Sequence, residues 1–304
     1  MDYKKIIRNQ EVRFRILNLL RFVPDKTMIK LQYRIKTGRK LNLKNPKRYT
    51  EKLQWYKLFY RDPLMTRCSD KYEVRSYVEE KGLEKYLTKL YGVYEDLKEI
   101  NFSTLPNSFA IKHTNGSGAN YFVKDKRSEN IDDIKAIIEG WMTARKADYG
   151  REWCYYDVKP RIIVEELIER DENNDIPDYK FFCFNGKVKY LYTMVDYVDN
   201  HKNGRCSFFT PEFQQLPYRR SEYKEINRPI PKPEKFDEML KIAEILSKDF
   251  PHVRVDLYNI KGRIIFGELT FYNASGYTVF TPDEFDSVLG DKFLLPMKKS
   301  WKGV

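Results

Sequence analysis

Arg254, Asp256 and Glu268 are the residues of this chain whose types and spacing most readily support chemistry. They lie in VRVDLYNIKGRIIFGELTFYNASG, residues 253–276. From 253 to 258 the odd positions are Val253, Val255 and Leu257 and the even ones are Arg254, Asp256 and Tyr258. Such alternation marks a strand with one buried face. A second strand is expected over 263–271, after a three-residue loop (Ile260, Lys261, Gly262) with Gly262 in the left-handed position. That register pairs Asn259 with Arg263, Asp256 with Phe266 and Arg254 with Glu268. One face (Val253, Val255, Leu257, Ile265, Gly267, Leu269) is then apolar, and the other carries Arg254, Asp256, Glu268 and Thr270. Two carboxylates on one face suit a hard divalent cation such as Mg²⁺, usually held by one or two carboxylates plus substrate phosphates. A solvated salt-bridge face is the competing reading, since antiparallel sheets often keep one side wet.

Other residues upstream have chemistry to offer. The loop TNGSG, residues 114–118, separates expected strands over 108–112 and 120–124. Its glycines let backbone N–H groups approach a phosphate, and Lys112 adds a point charge. No GxxxxGK[ST] is present, so this is not a P-loop. Lys71 stands at the start of an expected helix, Glu165 and Glu166 end a strand expected over 161–166, and Asp178 begins a hairpin. Each has a bland alternative: a surface lysine, an edge-strand row, a turn cap. His113 reads as a packing or hydrogen-bonding residue, and Lys187 as a gatekeeper on an exposed hairpin.

The elements that must position these residues are helices mixed with antiparallel hairpins, an α+β chain. Helices are expected over 49–60, over 70–81 (capped by Ser69 and ended by Gly82), over 131–146, over 234–250 and over 282–289. An extended element is expected over 84–94. Asn185-Gly186 marks a two-residue hairpin turn between 179–184 and 187–193, which places Asp178, Lys180 and Phe182 on a face with Lys187, Lys189 and Leu191.

With 304 residues, the chain is long enough for a large core. No run of about 18 apolar residues is present, as a spanning helix would need, and no signal-peptide pattern follows the charged start. The four cysteines lack CxxC spacing, which argues against a zinc site or a disulfide framework and for a reducing cytoplasm. The net charge of +12 is concentrated: residues 1–48 hold fifteen Lys/Arg against three acids, and the rest is balanced at 41 against 41. A membrane-surface contact, a nucleic-acid contact and a solvated helix pair compete for this segment. No RNA-binding motif or zinc finger appears, so no nucleic-acid partner is expected. Contact with an anionic membrane at the inner face of the cell is the partner reading retained for residues 1–48.

The order of parts carries more than any one of them. The segments NPKRYTEKLQWYKL, DKYEVRSYV, LPNSFAIKHTNGSG, PRIIVEELI, DYKFFCFNGKVKYLY and VRVDLYNIKGRIIFGELTF span about residues 45–290. Together they resemble the teichuronopeptide-biosynthesis (TupA-like) ATP-grasp family of polysaccharide-biosynthesis proteins. The resemblance implies two α+β subdomains clasping ATP, here 49–160 with the Gly-rich lid and 161–304 with the metal-binding hairpin, after a basic helical segment 1–48. It implies that Lys71 and Lys112 grip nucleotide phosphates beneath Gly116, Ser117 and Gly118. Glu165 is placed near the adenine amine, Glu166, Leu167 and Ile168 at the purine hinge, and Asp178 at the ribose. Arg254 is placed on the transferred phosphoryl group, and Asp256 and Glu268 on Mg²⁺. Family members usually have Asn where Thr270 stands, so the third ligand is either Thr270 or Asn273.

The implied reaction is ATP- and Mg²⁺-dependent joining of a carboxylate to an amine through an acyl phosphate. By the same resemblance the carboxylate belongs to a uronic acid of a cell-surface polysaccharide such as a capsule or cell-wall glycan. The amine is an amino acid or small amino alcohol. Three alternatives stand beside it: a glycosyltransferase using a nucleotide sugar, an ATP-dependent sugar phosphotransferase, and a non-catalytic basic binding module.

Overall fold

The computed structural model describes residues 9–115, 118–143, 150–172, 174–196 and 204–300. Two helices come first, α1 (Gln10–Leu19) and α2 (Asp25–Thr37), the second closed by Gly38 in the left-handed region. Helix α2 buries Met28, Ile29, Gln32 and Tyr33 and turns Lys30, Leu31, Arg34 and Ile35 to solvent. Helix α3 (Tyr49–Phe59) follows. Its start is capped by Glu51, whose carboxylate accepts from the backbone N–H groups of Lys47 (2.9 Å) and Arg48 (3.2 Å).

The helix expected over 70–81 is present as α5 (Glu73–Glu80), and a helix that was not expected, α4 (Pro63–Ser69), precedes it. Ser69 does not cap; its hydroxyl donates to the Met65 carbonyl of its own helix at 2.7 Å. The carboxylate of Asp70 does that work, accepting from Tyr72 N (2.7 Å) and Glu73 N (3.2 Å). A carboxylate is the stronger acceptor for exposed N–H groups at a positive helix end. The extended element of 84–94 is divided into a 3₁₀ turn at Glu84–Tyr86 and strand β1 (Leu90–Tyr94).

Strands β1, β2 (Phe109–His113), β3 (Asn120–Val123) and β4 (Ile162–Glu165) form an antiparallel sheet in the order β1-β4-β2-β3. Thus β4, which arrives last in the chain, is interior to the sheet. Helix α6 (Ile131–Thr143) packs Ile134 and Ile138 against Phe109, Ile111, Ile162 and Val164.

The larger sheet contains β5 (Asp178–Phe184), β6 (Lys187–Val195), β7 (Arg205–Phe209), β9 (His252–Ile260) and β10 (Arg263–Thr270). Its order is β10-β9-β5-β6-β7, with a two-strand ribbon of β8 (Arg219–Arg220) and β11 (Phe280–Thr281) beside it. Helix α7 (Phe236–Ser247), α3 and α8 (Phe285–Lys292) enclose a core rich in Phe and Tyr.

Both hairpins differ in register from expectation. The loop between β9 and β10 has two residues, Lys261 and Gly262, both at positive φ (50° and 79°), so Arg263 pairs with Ile260. Phe266 therefore faces Leu257, and Ile264 and Phe266 take the face expected for Ile265 and Gly267, while Ile265, also buried, pairs with Tyr258. A bulge at Gly267 then restores the polar face, setting Glu268 opposite Asp256 and Thr270 opposite Arg254. A Cβ at Gly267 would lie 3.0 Å from the Asp256 carbonyl oxygen and 3.1 Å from the Tyr258 ring, a tight fit that favours glycine at the bulge. In the β5–β6 hairpin, Asn185 and Gly186 form the expected turn (φ 48° and 73°). A second bulge, at Lys189, pairs Phe182 with Tyr190 and Lys180 with Tyr192. The face of Asp178, Lys180 and Phe182 is thereby set against Met194, Tyr192 and Tyr190 in place of Lys189 and Leu191, and only Lys187, opposite Phe184 at the turn, keeps its expected pairing.

Candidate active site

A cleft of about 320 Å³ lies between the two sheets. The small sheet contributes Lys112, Asn120, Ile163 and Glu165, and the large sheet contributes Lys180, Asp256, Tyr258, Phe266 and Glu268. Leu87, Ile163, Ile168, Tyr258 and Phe266 make part of its wall apolar, while Lys71, Arg75, Lys112 and Lys180 bring four cations to the rest. An apolar wall beside convergent charges is the usual make-up of a small-molecule site.

The large-sheet wall is a closed charge network. Arg254 reaches Asp256 through two parallel bonds of 2.6 Å, a bidentate guanidinium–carboxylate fork. Its Nη2 also donates to Glu268 Oε1 (3.0 Å) and Thr270 Oγ1 (2.9 Å), and its Nη1 to Asn273 Oδ1. Because β5 lies beside β9, Lys180 stands opposite Asp256. Its Nζ lies 2.5 Å from Asp256 Oδ2 and 2.5 Å from Asp178 Oδ2. Burial favours a neutral Lys180, but the two carboxylates outweigh it and raise its pKa well above the usual lysine value. Burial, with Asp256 adding to it, lifts the Asp178 carboxyl to about 6 even against the Lys180 ammonium. Desolvation works against ionisation of Glu268 as well, yet Arg254 and Lys180 overcome it and hold that carboxyl down at about 2.

The small-sheet wall is more sparsely tied. Lys112 pairs with Glu165, which also accepts from the Thr88 hydroxyl at 2.8 Å and lies 3.7 Å from Arg75. Glu166 points elsewhere, with its carboxylate 2.7 Å from Arg263 at the edge of the large sheet. Lys71 is fixed at both ends: its N–H donates to Thr114 O (3.3 Å) and its Nζ to His113 O (3.1 Å). Burial lowers its pKa. Arg161 bonds Asp70 and Glu73, both at 2.8 Å, and so holds the Asp70–Lys71 turn against β4.

Lys71, Lys112, Glu165, Ile168, Asp256 and Glu268 therefore all line the one cleft. Asp178 adjoins it through Lys180, with Oδ1 buried and unbonded among the described residues. Leu167 is half-buried on the chain that leaves β4. Gly118 is in the left-handed region (φ 89°) with open space around it, whereas Gly116 and Ser117 lie outside the described residues. His113 acts as a turn residue, its Nδ1 accepting from Asn115 N at 3.2 Å. Thr270 donates to Glu268 Oε1 at 2.9 Å, and Asn273 is fully buried behind Arg254, bonding Thr278 through Nδ2.

Three cleft residues escape sequence reasoning. Lys180 is conspicuous only once β5 is known to neighbour β9; its place one residue from Tyr179 and two from Asp178 was the available signal. Thr88 is brought in by the β1–β4 pairing. Asn120, opposite Lys112 on β3, has a buried Oδ1 with no partner among the described residues, an acceptor aimed at a cleft.

The donor set fits Mg²⁺ in chemistry: two carboxylates directly opposed across β9 and β10, beside cations suited to phosphate oxygens. Asp256 is at present taken up by Arg254 and Lys180, and Glu268 Oε1 by Arg254 and Thr270. A cation seated there would take carboxylate oxygens from those two side chains.

Solved structures that resemble the chain include the ATP complex of Bacillus anthracis D-alanine–D-alanine ligase, at 15% identity and a TM-score of 0.45, covering 74% of this chain and 64% of that one. The ATP-grasp ligase PsnB with a phosphomimetic precursor variant, Mg and ADP is 12% identical, with a TM-score of 0.44 and coverage of 80% and 64%. Helicobacter pylori D-alanine–D-alanine ligase is 16% identical, with a TM-score of 0.38 and coverage of 74% and 61%. The chain thus spans under two thirds of these ligases' own length. No curated protein matches it. The family model for TupA-like ATPgrasp proteins matches residues 51–294, from helix α3 through α8 and both walls of the cleft, and the chain belongs to that family.

Proposed function

We propose that the protein is an ATP-dependent ligase that activates a carboxylate as an acyl phosphate and transfers it to an amine. The observation that carries this reading is the cleft itself. It sets an apolar wall suited to a purine and the cations Lys71, Arg75, Lys112 and Lys180 against the opposed carboxylates Asp256 and Glu268. In this reading Lys71 and Lys112 bind phosphate oxygens, together with the loop of Gly116, Ser117 and Gly118. The hinge from Glu165 to Ile168 meets the base, and Asp178 or its neighbour Lys180 meets the ribose–phosphate side. Asp256 and Glu268 hold Mg²⁺, with Thr270 or Asn273 as the neighbouring oxygen donor. The metal supplies charge neutralisation between the phosphates.

Arg254 has the role that geometry supports best. Four side chains hold its guanidinium in place, so its position is fixed before any substrate arrives, and preorganised charge stabilises a transferring phosphoryl group without reorganisation. An acyl phosphate then needs no side-chain nucleophile. All four cysteines are buried thiols, and burial pushes each of their pKa values up, so none is poised as a thiolate.

The acceptor in this reading is a uronic-acid carboxylate of a cell-surface polysaccharide, following the family's association with such polymers. Residues 1–48 rest on an anionic membrane surface, a reading supported by fifteen basic residues against three acids and by exposed Leu19, Phe22, Leu31 and Ile35. No helix among the described residues is long and apolar enough to cross a membrane.

The test is product analysis with Mg-ATP, a panel of uronic acids and small amines. Release of ADP and phosphate that requires both acid and amine is expected. ADP without phosphate would make the protein a phosphotransferase, UDP from a nucleotide sugar would make it a glycosyltransferase, and no Mg-ATP binding would leave a binding module.

A further inference from the structure

A second cavity, of about 240 Å³, opens off the cleft and has not been assigned a role. The two share Lys71, Val74, Gly267 and Glu268 as common wall, so what binds in one is a neighbour of what binds in the other. Away from that shared wall the lining includes Arg254 as well as Glu152, Tyr155, Tyr272 and Ser275.

Glu152 differs from the other acids nearby. Asp70 is bonded to Arg161, and Asp256 and Glu268 to Arg254. Among the described residues no hydrogen bond or ion pair is made by the half-buried Glu152 carboxylate. Lys57, 1% exposed, attracts that carboxylate through space but gives its Nζ bonds to the carbonyls of Gly150 and Ser275, both at 2.8 Å. A half-buried carboxylate facing a cavity wants a cationic partner, because desolvation without pairing is costly.

The backbone beside Glu152 is strained as well. Ala274 and Ser275 are both in the left-handed region (φ 47° and 56°), unusual for consecutive residues that are not glycine. Such strain persists only where the surroundings over-determine it, and it gathers at ligand clamps. Here Lys57 and Gln54 both hold the Ser275 carbonyl, and Gln54 also holds that of Gly276 at 2.8 Å. A Cβ on Gly150 would come 2.5 Å from Glu152 Oε1 and 2.7 Å from Ser275 Oγ, so those two polar groups converge over a residue with no side chain.

We infer that this cavity is the subsite for the amine co-substrate and that Glu152 binds its ammonium group, with Ser275 as the adjoining hydroxyl. The inference rests on the ligase reading above. Its charge pattern suits that order of events: Lys71 stands on the wall shared with the cleft where the acyl phosphate forms, Arg254 lines this cavity while bonded to Asp256 and Glu268, and Glu152 lies away from the shared wall. The volume sets the size of the amine, since drug-sized ligands occupy roughly 300–1,000 Å³. An amino acid or amino alcohol fits, and a sugar chain does not.

The test uses the full chain and ethanolamine as probe, observed by saturation-transfer NMR with Mg-AMPPNP present. Ethylene glycol and glycolate serve as neutral and anionic counterparts. Ethanolamine is expected to bind in preference to both. Glu152→Gln should weaken ethanolamine at least tenfold, and Glu152→Asp should recover part of the loss. A thermal melt of each variant shows that it is folded. Absence of ethanolamine binding to the wild type, binding unchanged in Glu152→Gln, or preference for glycolate overturns the inference. Titration of Mg-AMPPNP alone reads the nucleotide site separately, so a failure there counts against the ligase reading and not only against the amine subsite.

Discussion

The cleft and the N-terminal helices are both dense in charge, and they use it in opposite ways. On the large-sheet wall Arg254, Lys180, Asp178, Asp256 and Glu268 neutralise one another at 2.5–3.0 Å, mostly out of water. In residues 1–48 the fifteen cations outnumber three acids, and Arg15, Lys26, Lys30 and Arg34 lie exposed. Paired, buried charge fixes positions to fractions of an ångström, because moving one member strands another. Exposed charge in excess fixes less internally, although Arg39 and Arg48 of this segment do pair with Asp283, and it creates a field that a partner can answer. In the proposed reading the first pattern serves chemistry and the second serves docking.

Removing a carboxylate tests the first half of that contrast most severely. Asp256→Ala is expected to lower ATP turnover by about a thousandfold or more, since a metal centre and its charge stabilisation are worth several kcal/mol at about 1.36 kcal/mol per decade. Glu268→Ala should do nearly as much. Turnover within tenfold of wild type in either variant, measured as phosphate release, would make the polar face an ordinary ion-pair row.

Removing the cation between the acids is next in size. Lys180→Met leaves Asp178 and Asp256 facing each other without their shared ammonium, and breaking a buried pair from one side costs about 3–5 kcal/mol. Urea unfolding should show that loss, and adding Asp178→Asn to Lys180→Met should recover part of it. If the double variant is no more stable than the single one, the two groups are not coupled as the distances imply.

How much of this was legible in the sequence follows from which forces set it. The α+β class, the acid-bearing hairpin and the turns at Asn185-Gly186 and Gly262 are local matters of period and φ, and they stand. Bulges at Gly267 and Lys189 are not written in period two, and each reverses a face; even so, Glu268 meets Asp256 because the shorter turn and the bulge compensate. Non-local pairing was invisible: nothing in 161–166 says that β4 lies between β1 and β2, or that β5 lies beside β9. Thus Asp256 and Glu268 could be named from the sequence, whereas Lys180, Thr88 and Asn120 could not.

Proton linkage sharpens the comparison at lower energy. Asp178 titrates near 6 in the fold against 3.8 as an ordinary carboxyl, so the folded state binds its proton more tightly. The stabilisation from that proton is complete below pH 3.8 and is lost as the pH rises through 6. Compared with Asp178→Asn, the wild type should therefore lose stability between pH 4 and 6 and run parallel above pH 7. Parallel curves throughout would mean that Lys180 keeps Asp178 ionised and that burial is the weaker influence.

Docking is the smallest effect per residue and the most sensitive to salt. Each Lys or Arg near an anionic lipid surface contributes about 1 kcal/mol. Lys30→Glu with Arg34→Glu, on the exposed face of α2, should weaken co-sedimentation with phosphatidylglycerol vesicles by tenfold or more at low salt. Phosphatidylcholine vesicles should bind poorly from the start, and raising the ionic strength should erase the difference, since exposed charges are screened over about 10 Å at 0.1 M. Phe22→Asp, which changes an 83% exposed ring on the turn between α1 and α2, separates the two contributions. If it weakens binding at high salt as well, apolar insertion adds to charge. A cleft whose charges are already paired should show no such salt dependence, so ATP turnover measured in the same buffers is the control. If turnover falls with vesicle binding across the salt series, the two regions are not independent, and paired and unpaired charge would not divide the labour of this molecule between them.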